Sequence, residues 1–341
     1  MPSTRPISVL YLGKRGGGAR FTYELVQEFR INYGVYPIVV IRKDNPYAEM
    51  LKREGYRTVL ISLKTLTFLP FLRFFNYGNV RLILKSIPQD SIVLVAMHHP
   101  IQNYINKVMK KNNFQIINIL HDFFRHPGDF WPSNFFLQRY IQSGNSVITL
   151  SNYVQKQISP KISSKVASFP EPYLSFKFLP SQRDIDILVI GRFKKYKNLK
   201  SLQRLTSIEN LNYKIVIAGS GKLPRGVATS PSLIIKNRWL TEKEICELIH
   251  SSKALVLPYS EASQSGWIGL ALSLGTPVFS TSVGGLAEQF ESGVGGLSFG
   301  SSEELFTFIS QKATFLAALD HLNPKFHRTY PRISDLILGE K

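Results

Sequence analysis

The chain has 341 residues, of which 44% are hydrophobic and 19% are charged. This composition excludes intrinsic disorder, and the length allows about two domains that bury full cores. The Lys and Arg residues number 42 and the Asp and Glu residues 23, a formal net charge of +19. Such an excess predicts a polyanionic partner: nucleic acid, anionic lipid headgroups or a diphosphate-bearing substrate. The single cysteine, Cys246, excludes a disulfide framework and a cysteine-rich zinc site.

The sequence lacks the pattern of an export signal or a membrane span. The apolar run Ile7–Leu12 is shorter than the apolar region of a signal peptide. The longest uncharged stretch, 262–287, is interrupted by Gly, Pro and Ser, whereas a spanning helix needs about 20 predominantly apolar residues. We therefore expect a cytoplasmic protein, with a peripheral contact at the inner face of the cell membrane.

Short apolar runs alternate with helical stretches through the first half of the chain. Runs of this kind predict the strands of a parallel sheet that is covered on both faces. The spacing of apolar residues over 19–31 predicts a helix directly after the first strand. The strands predicted in this half are 7–12, 36–41, 58–61, 91–96, 115–120 and 146–150.

The proline-rich stretch 169–180 predicts a linker, and the alternation then restarts. Thr241 followed by Glu244 forms a capping-box pattern that predicts a helix to about His250, and Ser302 begins another predicted helix. The strands predicted in this half are 186–190, 213–218, 233–235, 253–257 and 277–280.

This alternation predicts an α/β protein with two Rossmann-like domains facing a cleft. We expect the first domain over 1–170, the second over 181–322, and a tail, 323–341, that packs back on the first domain. Ligands of such sheets bind at the carboxyl ends of the strands. The loops after the predicted strands are therefore the candidate sites.

Glycines follow the first predicted strand, and Gly17 and Gly18 directly precede the helix predicted over 19–31. Backbone N–H groups there can approach a phosphate closely. The spacing matches neither the dinucleotide motif nor the P-loop motif, so a glycine turn without a ligand is an equal alternative.

Two loops of the second half carry stronger signals. Gly191 ends a predicted strand, and Arg192 and Lys197 follow it as a pair of cations that could hold phosphate oxygens. A solvated basic turn is the alternative. Farther on, a small polar loop precedes a predicted helix whose first N–H groups would favour an anion. Its candidate ligand residues are Gln264, Ser265 and Gly266, and its one acid is Glu261.

Together these loops resemble the retaining nucleotide-sugar glycosyltransferases of the GT-B fold, in the group called family 4 or glycosyl transferases group 1. The resemblance covers most of the second domain and a thin part of the first. The matching residues are Gly191, Arg192 and Lys197 of a G-R-x-x-x-x-K element; Thr276–Val278 and Val283–Glu288 of a G-x-P-V…G-G-x-x-E segment; Gly17 and Gly18 of a glycine loop; and His121 after a strand of the first domain.

The resemblance implies a hexosyltransferase that moves a sugar from a nucleotide diphosphate-sugar to an acceptor hydroxyl, in bacterial polysaccharide or glycolipid assembly. It implies that Arg192 and Lys197 bind the donor diphosphate. It also implies that His121 positions the transferred sugar, and Glu261 is expected to contact sugar hydroxyls. Gly17, Gly18, Gln264, Ser265 and Gly266 complete the expected donor site.

One departure from the family pattern concerns a pair of glutamates eight positions apart. Their slots fall at Ala262 and Leu270 in this sequence. Glu261 lies beside the first slot, whereas no residue replaces the second, whose glutamate holds the ribose in the family. On this alignment, Leu270→Glu is expected to restore a ribose contact.

No metal and no cofactor are expected, because Arg192 and Lys197 would already supply two cations for the diphosphate. His98, His99 and Asp122 do not have the spacing of a zinc motif. The expected acceptor is a glycan or a lipid-linked glycan. The segments 68–77 and 121–131 combine aromatic residues with cations and are candidates for a membrane contact, although the first is equally suited to a core.

Two other interpretations stay open. The net charge permits a protein that binds nucleic acid or another polyanion, although the stacked-aromatic motifs of RNA modules are absent and no nucleic acid is expected. Leu270 permits a catalytically degenerate GT-B-like protein. The placement of Arg192 and Lys197 in the fold bears on both alternatives.

Overall fold

The computed structural model describes residues 5–63, 77–124, 133–173, 182–206, 213–224, 227 and 233–339. These residues form two compact units, each built around its own parallel sheet. The first unit comprises the described residues up to 173 together with 330–339, and the second comprises those from 182 to 329.

The first unit contains a sheet of seven parallel strands in the order β3-β2-β1-β4-β5-β6-β7. The strands are β1 (Ile7–Tyr11), β2 (Ile38–Arg42), β3 (Thr58–Ile61), β4 (Ile92–Val95), β5 (Gln115–Leu120), β6 (Ser146–Thr149) and β7 (Ser164–Val166). The helices are α1 (Gly17–Tyr33), α2 (Ala48–Arg53), α3 (Tyr77–Ser86), α4 (Gln102–Lys111), α5 (Asn134–Ser143), α6 (Asn152–Gln155) and, near the end of the chain, α12 (Ile333–Leu338). The order reverses between β1 and β4, so the loops after these strands lie side by side at the switch point.

Both faces of this sheet are buried, because successive side chains of a strand point to opposite faces. Val9 and Val39 pack into one core cluster with α1, α2 and α12. Leu10 and Val40 pack into a second cluster with the apolar residues of α3, α4, α5 and α6. The helices of the first unit therefore form two layers, one on each face of the sheet.

The second unit repeats this plan with six parallel strands in the order β10-β9-β8-β11-β12-β13. The strands are β8 (Ile185–Ile190), β9 (Ile215–Gly219), β10 (Leu233–Asn237), β11 (Ser252–Leu257), β12 (Val278–Thr281) and β13 (Gly296–Phe299). The helices are α7 (Gln203–Thr206), α8 (Glu242–His250), α9 (Gly266–Ser273), α10 (Ser302–Ser310) and α11 (Lys312–His321). The switch point of this sheet lies between β8 and β11, and the loops after these two strands meet there.

The structure confirms the predicted pair of parallel α/β domains. Every predicted strand is present, with small shifts at its ends. The strands β7 and β13 were not predicted, because both lie at a sheet edge and are only partly buried, so they lack a continuous apolar run. Within the described ranges, no helix combines the length and the apolar character that crossing a bilayer requires.

The C-terminal tail, predicted over 323–341, is shared between the two units. Asn323 donates its backbone N–H to Val294 in the second unit at 2.9 Å. From Tyr330 onward the chain belongs to the first unit, where the Ser334 N–H donates to Glu28 Oε1 at 2.9 Å. The change of unit therefore falls after Thr329. Most of the predicted linker, 174–181, lies outside the described residues.

The capping box of α8 provides a test of local stability. The Glu244 N–H donates to Thr241 Oγ1 at 3.3 Å, and the Thr241 N–H donates to Glu244 Oε2 at 2.8 Å. Loss of such a cap costs about 1 kcal/mol. We expect Thr241→Ala to lower the unfolding temperature of the second unit in calorimetry and Thr241→Ser to leave it unchanged. Equal unfolding temperatures for all three proteins would contradict the cap.

Candidate functional site

A buried lysine stands at the switch point of the second unit. Gly191 directly follows β8, and a short 3₁₀ turn, Lys195–Lys197, brings the Lys197 side chain back beside Gly191. Lys197 Nζ lies 2.7 Å from Tyr259 Oη and 4.6 Å from the centre of the Tyr259 ring. Lys197 is 7% exposed. The ammonium group is thus held against a phenol inside the fold.

Gly191 lets two N–H donors approach the end of β8. A Cβ atom on Gly191 would lie 2.6 Å from Lys197 Nζ and 2.9 Å from Trp267 Nε1. Its φ of 125° is also in the region that side-chain-bearing residues rarely adopt. The backbone conformation and the space at position 191 therefore both favour glycine. The ammonium of Lys197 and the indole N–H of Trp267 occupy the space that a side chain at this position would fill.

The electrostatics of this point disfavour the charge of Lys197 in the absence of a ligand. Burial, together with the positive charge of Arg192, lowers the pKa of Lys197 to about 7. Arg192 itself is exposed. Among the described residues, no carboxylate contributes to the pKa of Lys197. An anion bound here would supply the missing opposite charge, which makes this point a candidate anion site.

The loop between β11 and α9 is anchored from three sides. The Thr281 hydroxyl donates to the Tyr259 carbonyl at 2.7 Å. The Ser260 N–H donates to the Tyr196 carbonyl at 2.8 Å, which ties this loop to the loop after β8. The Gly285 N–H donates to the Ala262 carbonyl at 3.1 Å. These bonds hold the loop in one conformation beside Lys197.

Gln289 fixes the start of α9. Its Oε1 accepts from the Ser265 N–H at 2.6 Å, and its Nε2 donates to the Ser265 carbonyl at 3.1 Å. Ser265 is the N-cap residue of α9, but its side chain makes no capping bond to the helix. The Ser265 side chain instead lies near the Tyr259 phenol, where it acts to lower the pKa of that group against the larger effect of burial. A chain of contacts therefore runs from Lys197 through Tyr259 to the first turn of α9.

The structure brings together most of the residues predicted for the donor site. Lys197 and Ser265 both lie next to Tyr259, and the charge of Arg192 is close enough to lower the pKa of Lys197. Gln264 and Gly266 flank Ser265 in the chain. Gly266 is exposed, whereas Gln264 and Glu261 are half-buried in the same loop. Their roles toward a ligand stay predictions.

Leu270 differs from its expected surroundings. It is 0% exposed and belongs to the core cluster beneath α9. The family slot for the ribose-binding glutamate thus points into the apolar core of the second unit. This placement argues against the expectation that Leu270→Glu restores a ribose contact, because the introduced carboxylate would be buried.

In the first unit, the glycine loop meets the chain after β4 at the switch point. A Cβ atom on Gly18 would lie 2.8 Å from Met97 Sδ and 2.8 Å from Tyr11 Oη, so a larger residue here would displace these side chains. Gly17 is exposed, and a Cβ atom on it would meet nothing within 4 Å. Gly18 therefore has a packing role, whereas the space next to Gly17 leaves room for a ligand.

His121 is buried after β5, with 3% exposure. Its Nε2 lies 2.8 Å from the Ala96 carbonyl, which can only accept, so Nε2 carries the proton and donates it. The ring packs edge-on against Phe21 and Phe169. Burial lowers the pKa of His121, so the ring is neutral near pH 7. His121 thus joins the ends of β4 and β5, and its predicted contact with a sugar stays a prediction.

His98 and His99 lie in the same region of the first unit. Burial is the main cause that lowers the pKa of each to about 4. Within the described part of the chain, no group of three or more His, Cys, Asp or Glu side chains has a geometry that could hold a metal ion.

Comparison with known proteins places this geometry in context. Residues 184–312 match the family model of glycosyl transferases group 1. This region contains Gly191, Arg192, Lys197 and the β11–α9 loop, and it covers less than half of the chain. No curated protein matches the sequence.

Solved structures are similar over nearly the whole chain. A glycosyltransferase from Rickettsia africae is 16% identical with a TM-score of 0.64, covering 99% of this chain and 100% of that one. HepE from Anabaena, in complex with UDP-glucose, is 14% identical with a TM-score of 0.65, covering 97% and 95%. The lipopolysaccharide outer core galactosyltransferase WaaB is 16% identical with a TM-score of 0.58, covering 98% and 94%. The fold is GT-B. At these identities the likeness establishes the fold alone.

Three residues of the site were given no role on the basis of the sequence. Tyr259, Trp267 and Gln289 contact the site through their side chains, but isolated aromatic and amide residues carry no motif. Tyr259 lies directly after an apolar strand and Trp267 in the first turn of the next helix, positions that meet at a switch point. That positional argument could have singled out these two residues, whereas nothing in the sequence indicates Gln289.

Leu270→Glu tests the inward orientation of the family slot. We expect this variant to lose at least about 3 kcal/mol of stability, because it buries a charge without a partner, and to gain no donor affinity. Leu270→Met conserves volume and should cost less than about 1.5 kcal/mol. Urea unfolding measures both variants. A stable Leu270→Glu protein with tighter nucleotide binding would overturn the assignment.

The pKa of Lys197 predicts a pH dependence of stability. The pKa is about 7 in the folded protein and 10.5 for an unperturbed lysine. Between these values the unfolded chain holds a proton that the folded protein has released, so the free energy of unfolding rises with pH. Below pH 7 both states are protonated, and the full cost of burying the charge applies.

We therefore expect Lys197→Met to stabilise the ligand-free protein more at pH 6.5 than at pH 9.5. Urea unfolding across this pH range gives the free energy of unfolding of both proteins. The difference between the two values isolates the contribution of Lys197, because the other titrating groups are the same in both proteins. Parallel stability curves would contradict the low pKa.

Proposed function

We propose that the protein is a glycosyltransferase that moves a sugar from a nucleotide diphosphate-sugar to an acceptor hydroxyl. The observation that carries the proposal is the buried Lys197 beside Arg192 at the switch point of the second sheet. Two cations that lack a described carboxylate partner suit the two phosphates of such a donor. The match of residues 184–312 to the glycosyl transferases group 1 supports the same substrate class.

The proposed chemistry depends on the charge that develops on the leaving group. Cleavage of the bond between the anomeric carbon and the diphosphate leaves negative charge on the diphosphate. Lys197, Arg192 and the first N–H groups of α9 would stabilise that charge. Binding of the anion raises the pKa of Lys197, so the lysine takes up a proton as the donor binds.

The indole N–H of Trp267 adds a neutral donor to this group. Its Nε1 approaches the same point on Gly191 as Lys197 Nζ. We assign Trp267 to the binding of a donor phosphate oxygen. The phenol oxygen of Tyr259 holds Lys197 in place through a hydrogen bond. Gln289 holds the start of α9 through its two hydrogen bonds to the backbone of Ser265.

We further propose retention at the anomeric carbon without a metal or cofactor, on the basis of the resemblance and the two cations. In that mechanism a donor phosphate oxygen accepts the proton of the acceptor hydroxyl. His121 positions the transferred sugar and does not act as the base, which agrees with a neutral ring whose Nε2 proton is donated to Ala96. Glu261 is proposed to accept hydrogen bonds from sugar hydroxyls.

The proposed donor class has support from HepE, which is in complex with UDP-glucose, and the proposed setting has support from WaaB, which acts on the lipopolysaccharide outer core. We propose a hexosyl transfer to a glycan or lipid-linked acceptor in bacterial polysaccharide or glycolipid assembly. The protein would act in the cytoplasm, in peripheral contact with the membrane. The segment 68–76 and residues 125–131, which were candidates for that contact, lie outside the described residues.

A panel of UDP-, GDP- and ADP-sugars tests the proposal. Arg192→Ala and Lys197→Ala are each expected to lose about 2–4 kcal/mol of transition-state stabilisation, or about 30- to 1000-fold in kcat/KM, because each removes a charge from the leaving group. Lys195→Ala, an exposed cation of the same turn, serves as the matched control and should retain near-normal turnover.

Nucleotide binding can be followed separately from turnover. We expect donor binding to change the fluorescence of Trp267, and Trp267→Phe identifies that signal. Binding without turnover on any donor would favour the degenerate interpretation. If no sugar nucleotide binds and single-stranded RNA does, the polyanion-binding interpretation replaces the transferase.

A further inference from the structure

One layer of helices in the first unit contains cations but no acids. The sequences of α3, α4, α5 and α6 include no Asp or Glu. In the whole sequence, no acid lies between Asp90 and Asp122 or between Asp129 and Glu171. The exposed cations of these helices and of the residue after α6 are Arg81, Lys85, Lys107, Lys110, Lys111, Arg139 and Lys156.

These helices share one side of the sheet. Val80 of α3, Ile105 of α4, Tyr140 of α5 and Val154 of α6 all point into the same core cluster. The cations lie at the exposed positions of the same helices, so they belong to the outer surface of this layer. We call this outer surface of α3–α6 the basic face.

Apolar side chains are exposed on the basic face among the cations. Phe135 on α5 is 69% exposed, Leu82 on α3 is 41% exposed and Tyr153 on α6 is 36% exposed. The Arg139 guanidinium lies 5.2 Å from the centre of the Phe135 ring. Large apolar groups that remain exposed next to cations are typical of surfaces that enter a membrane interface.

The opposite layer of the same unit differs. Its helices α1, α2 and α12 carry acids as well as cations, including Glu24, Glu49 and Asp335. Lys52 on α2 forms an ion pair with Glu49 at 2.9 Å. The absence of acids is thus a property of one layer and does not simply follow from the high net charge of the chain.

We propose that the basic face binds the surface of a membrane that contains anionic lipids. Cations of α3–α6 would contact the headgroups, each contributing through its charge near the surface. The side chains of Phe135 and Leu82 would insert into the membrane interface, between the lipid headgroups. An aliphatic side chain such as Leu82 offers nothing to a phosphodiester backbone, so these exposed groups favour a lipid surface over a nucleic acid.

The basic face belongs to the first unit, whereas the proposed donor site lies in the second. The donor-site proposal and the basic face can therefore fail independently, whereas the membrane contact in the proposed function rests on a surface of this kind. If the proposed function also holds, the basic face would bring the transferase to a lipid-linked acceptor.

Vesicle flotation of the full chain tests the basic face. We expect the protein to float with vesicles of phosphatidylglycerol and phosphatidylcholine at low salt, and less as salt screens the charges. It should not float with phosphatidylcholine alone. Lys107→Gln with Lys111→Gln should weaken the partition about thirtyfold, which corresponds to two charges at an anionic surface.

Two further variants keep the test sharp. Arg81→Gln with Lys85→Gln removes the same charge from α3 and should have a similar effect. Phe135→Ser should weaken flotation without changing the net charge. Circular dichroism and thermal unfolding check that each variant is folded, and Trp267 fluorescence checks nucleotide binding in the same samples.

Lys52→Gln with Arg53→Gln is the matched control, because it removes two charges from α2 in the opposite layer. It should bind vesicles nearly as well as the unaltered protein. An equal loss in this control would overturn the basic face, as would no flotation at low salt or equal flotation with phosphatidylcholine. Tight binding of poly(U) that depends on Lys107 and Lys111 but not on Phe135, without flotation, would assign the surface to nucleic acid instead.

Discussion

Burial of the Lys197 ammonium is the constraint on which the candidate site depends. A charged group inside a fold is unfavourable unless something compensates for its lost hydration. Here the compensation within the described residues is the phenol of Tyr259, which accepts a hydrogen bond but carries no charge. The low pKa of Lys197 expresses that incomplete compensation. An anion bound at this point would restore the charge of the lysine, so binding and protonation are coupled.

The residues around Lys197 provide the space and the fixed geometry that its burial requires. Gly191 provides the space for the Lys197 ammonium. Hydrogen bonds from Thr281 and Gln289 hold the β11–α9 loop so that Tyr259 and Trp267 lie next to that ammonium. A rigid frame of this kind keeps the donors in position before a ligand arrives, which is what electrostatic stabilisation of a leaving group requires. The residues of α9 after its first turn pack into the apolar core of the second unit. Only its first turn is therefore available to a ligand.

The first unit shows how one sheet can support two different surfaces. Both of its faces are covered by apolar helix residues, so folding places the same demand on each layer. The outer surfaces are free of that demand. One layer carries acids as well as cations, whereas the helices of the basic face carry cations and no acids. Packing does not require this difference, and the proposed binding of an anionic membrane surface would account for it.

The sequence by itself determined the fold class, because continuous apolar runs separated by helical spacing leave few arrangements other than parallel sheets with helices on both faces. It also singled out candidate loops, since cations and glycines at strand ends are visible in a linear pattern. Arg192, Lys197 and Ser265 were selected in this way, and their roles toward a ligand stay predictions. Short edge strands such as β7 were not, because they bury too little to leave an apolar run.

Only the tertiary structure decided which side chains meet. The contact of Lys197 with Tyr259 joins residues that are 62 positions apart, and no local pattern encodes such a pairing. The inward direction of Leu270 depends on how α9 lies on its sheet, which the spacing of a family motif does not reveal. The basic face likewise appeared only when four separate helices were seen on one side of a sheet. Distance along the chain hides such groupings, and folding brings them together.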